Sequence, residues 1–267
     1  MDDDLLLARR AALAGAAVGL RYFAALAELP QELKSDGSVV TKADRAVEAA
    51  IRAVLTEGRP RDAILGEEAG QTGGGSRRWI VDPIDGTALF VAGDDRWLVL
   101  VALEDAGEIV VGVAAVPGQG RIWWARRGAG AFEADMPGPT LSHERRISVD
   151  RDRPDTLPGT RLSVLPSPDA ISPDERELIV RLTAVVSPVP WNLHPALLVA
   201  TGQLDLAVQT RGQVWDYAAT SLIVEEAGGR FSGLDGQPLP TAGPAVFARS
   251  AALHATALRT LGARAVG

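Results

Sequence analysis

Apolar positions recur at helical spacing from the start of the chain, in an Ala/Leu-rich amphipathic run that predicts a first helix from Asp3 to Leu29, stopped by Pro30. A loop with Asp36-Gly37 and a short extended piece, Ser38-Val39-Val40, lead to a second amphipathic helix. Ala46, Val47, Ala50, Ile51, Val54 and Leu55 mark its buried face, and Gly58 and Pro60 close it. From Ala63 the apolar runs become short and β-rich: Ile64-Leu65, Trp79 to Val81, Trp97 to Leu103, Ile109 to Val116 and Ile122 to Trp124. Their turns carry Gly107, Gly118, Gly120, Gly128 and Gly130. The pattern predicts two helices packed on a largely antiparallel meander.

Between Met136 and Pro158 the composition shifts to Pro, Gly, Arg and Asp, so a boundary is expected there. It separates an N-terminal α+β subdomain, 1–140, from a C-terminal α/β subdomain, 141–267. Beyond it the pattern alternates: helix over Glu175 to Val186, a helical piece from Ala196 to Thr201, strand over Leu204 to Val208, and helix from Tyr217 to Ala227, ended by Gly228-Gly229.

Composition narrows the function. Hydrophobic residues at 46% and charged residues at 23%, without a low-complexity tract, describe a folded chain of 267 residues. A formal charge of −7 and no Lys/Arg-rich run argue against nucleic-acid binding, which needs clustered cations. Without cysteine there is no disulfide framework and no thiolate metal site. Arg9 and Arg10 before the stretch Ala11 to Leu20 imitate a secretory signal, but Asp2, Asp3 and Asp4 replace its positive start, and Arg21 ends the run short of a membrane span. A cytoplasmic protein with no membrane partner is expected.

The densest chemistry is Asp82-Pro83-Ile84-Asp85-Gly86-Thr87, directly after the apolar strand Trp79-Ile80-Val81. Two carboxylates at a strand end can face one point, although Asp-Pro and Asp-Gly are also common turn dipeptides. Glu67-Glu68 follows another short strand and could be a solvated loop. Asp216 precedes a helix and could cap it. Thr41-Lys42-Ala43-Asp44 has the form of a capping box with Asp for Glu.

Taken together, Ser38 to Asp44, Gly66-Glu67-Glu68, Trp79 to Thr87 and Trp215-Asp216-Tyr217-Ala218-Ala219 resemble, in order and spacing, the signatures of the inositol monophosphatase family. The resemblance extends to Gly112-Val113, Trp124 to Phe132 and Glu225 to Gly229, and so covers nearly the whole chain. It implies the layered αβαβα sandwich of the sugar-phosphatase superfamily, a homodimer, and a magnesium-dependent phosphatase acting on a small phosphate monoester.

In that family's pattern Glu67, Asp82 and the backbone carbonyl of Ile84 would hold one Mg²⁺, and Asp82, Asp85 and Asp216 a second. Oxygen ligands without His or Cys suit magnesium. The four carboxylates neutralise two ions and leave the phosphate uncompensated, so a third, weaker ion near Glu67 is expected. Asp44 and Thr87 would form a pair that orients the attacking water, and the N–H groups of Gly86 and Thr87 would take phosphate oxygens. With no cysteine, and with His143, His194 and His254 outside these motifs, direct attack by water needs fewest assumptions.

Several residues around the leaving alcohol depart from the pattern. Ser38 stands where many members carry Asp, which resembles the histidinol-phosphate phosphatase branch. Counting back from Trp215, however, Gln209 falls where a substrate-contacting Glu is expected in either branch, and Asn192 near an Asp of the histidinol branch. Amides keep hydrogen bonds to hydroxyls but lose attraction for an ammonium group. A neutral polyol or sugar phosphate is therefore the first expectation and histidinol phosphate the second. A nucleotide 3′-phosphatase ranks third, because Lys34 and Lys42 are the only lysines and no basic cluster awaits a second phosphate. A family member without turnover is the non-enzymatic alternative, against which the full ligand set stands. His194, before Pro195, is a substrate candidate at a helix start or simply a packed histidine; Trp191 is core or site wall.

Overall fold

The computed structural model describes residues 2–26, 31–33, 39–138, 140–152, 155–167 and 169–262. Lys34 and Ser38 lie outside the described residues. The chain divides into two compact units, Met1–Arg127 with Phe132–Arg146, and Gly128–Ala131 with Ile147–Gly267.

In the first unit, helix α1 (Asp2–Ala24) is followed by strands β1 (Gln31–Leu33) and β2 (Val39–Thr41), then helix α2 (Lys42–Gly58). Next come β3 (Ala63–Gly66), β4 (Gly70–Thr72), β5 (Arg77–Asp85) and the short helix α3 (Thr87–Val91). Strands β6 (Leu98–Asp105), β7 (Glu108–Val116), β8 (Arg121–Arg126), β9 (Gly130–Asp135) and β10 (Ser142–Ile147) complete it. The first helix ends before the expected Leu29: Ala25 N–H turns back to the carbonyl of Tyr22, closing α1 with a tighter turn.

Eight strands form one sheet in the order β10-β9-β8-β7-β6-β5-β3-β4. The expected meander holds from β5 through β8, whose successive pairs are antiparallel. It fails at β3, which runs parallel to β5 while β4 folds back along its outer edge. This parallel pair matters, because it brings the C-terminal end of β3 level with Val81, immediately before Asp82 on β5.

The core of this unit joins Leu7, Ala8, Ala11 and Ala12 of α1 with Val47, Ile51 and Leu55 of α2 and with Val99, Val101 and Leu103 of β6. Small residues let the helices approach closely. A Cβ on Gly15 would lie 2.8 Å from Ile51 Cγ1, and one on Gly19 would meet the buried ring of Trp97.

The second unit contains β11 (Leu162–Leu165), α4 (Pro173–Thr183), α5 (Pro195–Ala200), β12 (Leu206–Gln209), α6 (Val214–Glu226), β13 (Arg230–Gly233), β14 (Ala245–Ala248) and α7 (Ala251–Leu261). Its sheet has the order β11-β12-β14-β13, with β11 and β12 parallel and the other pairs antiparallel. Strand alternation sorts the side chains to two faces. Leu206, Val208, Val246 and Ala248 join Ile179 and Leu182 of α4 and Leu253 and Ala257 of α7 in one core. The intervening Phe247 packs at a tilt against Phe231, which in turn contacts Tyr217 of α6 on the other face. Helix α4 starts earlier than expected because Ser172 and Glu175 form a full capping box around Pro173. Helix α6 likewise starts at Val214, which puts Asp216 inside the first turn rather than ahead of it.

Candidate active site

In the first unit the parallel register pairs Gly66 with Val81, and Glu67 N–H continues the ladder to the carbonyl of Val81 at 3.3 Å. Glu67, just past the end of β3, therefore lies beside Asp82 on the adjacent β5. Side chains alternate along a strand, so residues three apart, such as Asp82 and Asp85, would ordinarily point to opposite faces. Here they do not. Asp82 pairs with Leu100 and Asp85 with Leu98, so three steps on β5 match two on β6, and the extra residue of this bulge reverses the alternation. Pro83, with no N–H to contribute, sits inside the bulge at little cost. The two carboxylates bring one oxygen each to within 4.8 Å of the other.

After Asp85 the chain turns sharply. Gly86 takes φ 84°, a left-handed conformation that suits glycine, and Thr87 opens α3. Thr87 Oγ1 lies 3.0 Å from the carbonyl of Ile84 and 3.3 Å from Asp44 Oδ1. Asp44, in the first turn of α2, is 1% exposed, and so is Asp82. The Ile84 side chain is fully buried in the core, which anchors the backbone that carries its carbonyl. Asp44, Thr87 and Ile84 are thus brought together, beside the Asp82 and Asp85 pair on the same bulged strand end. These donors are all oxygens, and His143 lies on β10 at the far edge of the sheet; the set fits a hard divalent cation such as magnesium.

In the second unit Asp216 occupies the third position of α6, where its Oδ2 accepts the backbone N–H of Gln213 at 2.7 Å. It does cap its helix, and the bond holds the carboxylate in place. Gly212 makes room for it: a Cβ there would come within 2.7 Å of Asp216 Oδ2. Gln209 ends β12, 5% exposed, on the face opposite the α4 and α7 core, and its Oε1 has no hydrogen-bond partner among the described residues. Asn192 is exposed. Trp191, beside it, is buried and donates its indole N–H to the carbonyl of Val164 at 3.1 Å, a packing role.

His194 is the N-cap of α5, and its Nδ1 accepts from Ala196 N–H at 3.2 Å. The proton of the neutral ring is therefore on Nε2. Complete burial lowers its pKa to about 4, so the ring is uncharged at neutral pH. Glu175 supports the following loop: its Oε1 accepts from Thr210 Oγ1 at 2.7 Å and pairs with Arg211. Although burial alone would raise the pKa of Glu175, hydrogen bonds from Ser172, Thr210 and Arg211 lower it to about 2.

Sequence reasoning missed Glu48 and Arg52, which follow Asp44 at successive helical turns on α2. Their i, i+4, i+8 spacing was the available signal.

A family model described as the inositol monophosphatase family matches residues 2–264. A histidinol-phosphatase from Mycobacterium tuberculosis is 40% identical over 268 residues, covering 98% of both chains. One from Streptomyces coelicolor is 38% identical over 258 residues, covering 94% of both. Among solved structures, an inositol monophosphatase from Zymomonas mobilis has a TM-score of 0.80 and 29% identity, covering 98% of both chains.

Proposed function

The chain belongs to the inositol monophosphatase family and is a phosphatase of small phosphate monoesters; from that premise we propose that it uses magnesium and prefers a neutral polyol or sugar phosphate. The observation that carries the metal assignment is the bulge that turns Asp82 and Asp85 to one face. Glu67, Asp82 and the Ile84 carbonyl would hold one ion, Asp82, Asp85 and Asp216 a second, and Glu67 a weaker third. Magnesium, when bound, supplies the charge that activates water and stabilises the leaving oxygen.

The remaining roles belong to the chain's own groups. Thr87, its hydroxyl proton directed to Asp44 Oδ1 or the Ile84 carbonyl, offers a lone pair to a hydrogen of the attacking water and so orients it for in-line approach. The N–H groups of Gly86 and Thr87 would bind phosphate oxygens, where glycine allows close approach. At the leaving-group side, Gln209 offers a buried amide acceptor suited to a hydroxyl donor, Asn192 an exposed amide, and His194 an uncharged ring. None of the three carries the negative charge that would favour a cationic substrate over a neutral one.

Histidinol phosphate is the second reading, favoured by the names and 38–40% identity of the two bacterial relatives. Phosphate release from inositol 1-phosphate, sugar phosphates and histidinol phosphate, with and without Mg²⁺, separates them. A higher kcat/KM for the neutral substrates supports the first reading; a preference for histidinol phosphate replaces it with the second. The family resemblance also supports a homodimer, which sedimentation of the purified protein would test. No helix among the described residues is long and apolar enough to cross a membrane.

A further inference from the structure

Helix α2 presents Asp44, Glu48 and Arg52 one turn apart along one face. Asp44 reaches Thr87; the next two reach a different segment. Glu48 is 1% exposed, and its Oε2 accepts the backbone N–H of Glu68 at 2.7 Å. Its Oε1 accepts Ala69 N–H at 3.2 Å and Arg52 Nε at 2.6 Å. Arg52 then donates to the Gly70 carbonyl at 2.5 Å and to Thr72 Oγ1 at 3.0 Å. The segment that carries Glu67 between β3 and β4 is thus gripped by its backbone from one helix.

Gly66 is part of the same construction. A Cβ there would overlap Glu48 Oε1 and lie 2.5 Å from Glu48 Cδ and 2.8 Å from Arg52 Nη2. Burying an ion pair contributes little net stability compared with apolar packing of the same volume. What this pair does provide is direction: one carboxylate accepts two consecutive amides, and the guanidinium holds that carboxylate through Nε–H while its other two nitrogens reach Gly70 and Thr72.

We propose that Glu48, oriented by Arg52, is a positioning residue that sets Glu67 for metal binding. The inference rests on Glu67 being a magnesium ligand. Glutamine at position 48 keeps the volume but has one acceptor oxygen, so it must face the Glu68 or the Ala69 N–H with its own NH₂ group. The turn then loosens while the helix and sheet remain.

The test is calorimetric titration of the full-length protein with Mg²⁺, without substrate, beside the Mg²⁺ dependence of phosphate release. Glu67→Ala, Glu48→Gln, their double variant and Arg52→Lys are compared. Glu48→Gln is expected to weaken magnesium binding about tenfold, as loss of a group that orients a ligand does, with kcat at saturating magnesium little changed. In the Glu67→Ala background it should add nothing, because both changes act through one ligand. Arg52→Lys, which keeps the charge and loses the fork, should give an intermediate loss, and it carries the test if Glu48→Gln does not fold. Unchanged affinity in Glu48→Gln, or an additive loss in the double variant, overturns the proposal. If Glu67→Ala itself binds magnesium normally, the ligand role of Glu67 fails instead, and the positioning role with it.

Discussion

In the first unit the proposed catalytic residues, drawn from Asp44 to Thr87, are locked to one another: Asp82 and Asp85 by a bulge, Thr87 by Asp44, and the Glu67 segment by Glu48. The second unit offers Asn192 before α5, His194 at its N-cap, Gln209 at the end of β12 and Asp216 in α6, and apart from Asp216 they are uncharged. The difference separates two tasks. Metal and water chemistry needs fixed charges at fixed distances, and adjacent residues on a bulged strand supply them with little freedom to drift. Substrate choice needs only the right donors and acceptors at a strand end, where a single amide for acid exchange changes the preferred charge without disturbing the metal ligands.

That division can be broken most sharply at Asp85. Asp85→Asn keeps the volume and removes a ligand charge, so phosphate release should fall by at least about a hundredfold, the upper end of what outer-shell losses cost. Circular dichroism should show an intact fold. A smaller effect is expected from restoring acids in the second unit. Gln209→Glu with Asn192→Asp should raise kcat/KM for histidinol phosphate relative to inositol 1-phosphate by about tenfold, the scale of one charge-assisted hydrogen bond. Absolute turnover of the favoured substrate should stay within the range of the parent. Equal selectivity in the two proteins would show that these positions do not face the leaving group.

A further expected effect is on stability rather than activity. His194 and His254 are both lowered to about 4, His194 by burial and His254 by burial together with the charge of Arg230. The unfolded chain, with histidines near 6.5, binds more protons than the folded one between those values. Stability should therefore be complete above pH 6.5, fall as the pH drops toward 4, and stop falling on this account below it. Each histidine contributes at most about 3 kcal/mol over that window. Glu175, held at about 2, contributes stability above pH 4.5 that is lost as the pH falls toward 2. Thermal melts of the parent and of His194→Gln across this range check the sign: the variant should show a shallower decline.

Much of the first unit was legible because its signals are local. The apolar periodicity of α2 and the runs of β5 to β8 needed only neighbouring residues, as did the pairing of Asp82 with Asp85 in one motif. The bulge was not legible, since it exists only in the register against β6. Glu48 was missed for a similar reason: its partners Glu68 and Ala69 lie 20 and 21 residues away in sequence. The parallel pairing of β3 with β5 depends on where the chain returns after β4, which no local pattern states. In the second unit β13 and β14 are four residues each and flanked by turns, too short for periodicity to declare them. Gln209 was found only by counting back from a motif, and its burial came from the sheet rather than from its own polarity.

Calorimetric titration of the unmodified protein and of Asp85→Asn with Mg²⁺ reads the metal site without relying on any substrate. Magnesium binding by the unmodified protein and the loss of one bound ion in Asp85→Asn is the expected result. Binding of equal strength in the two would contradict the assignment of the bulged pair as the metal site, whatever the substrate proves to be.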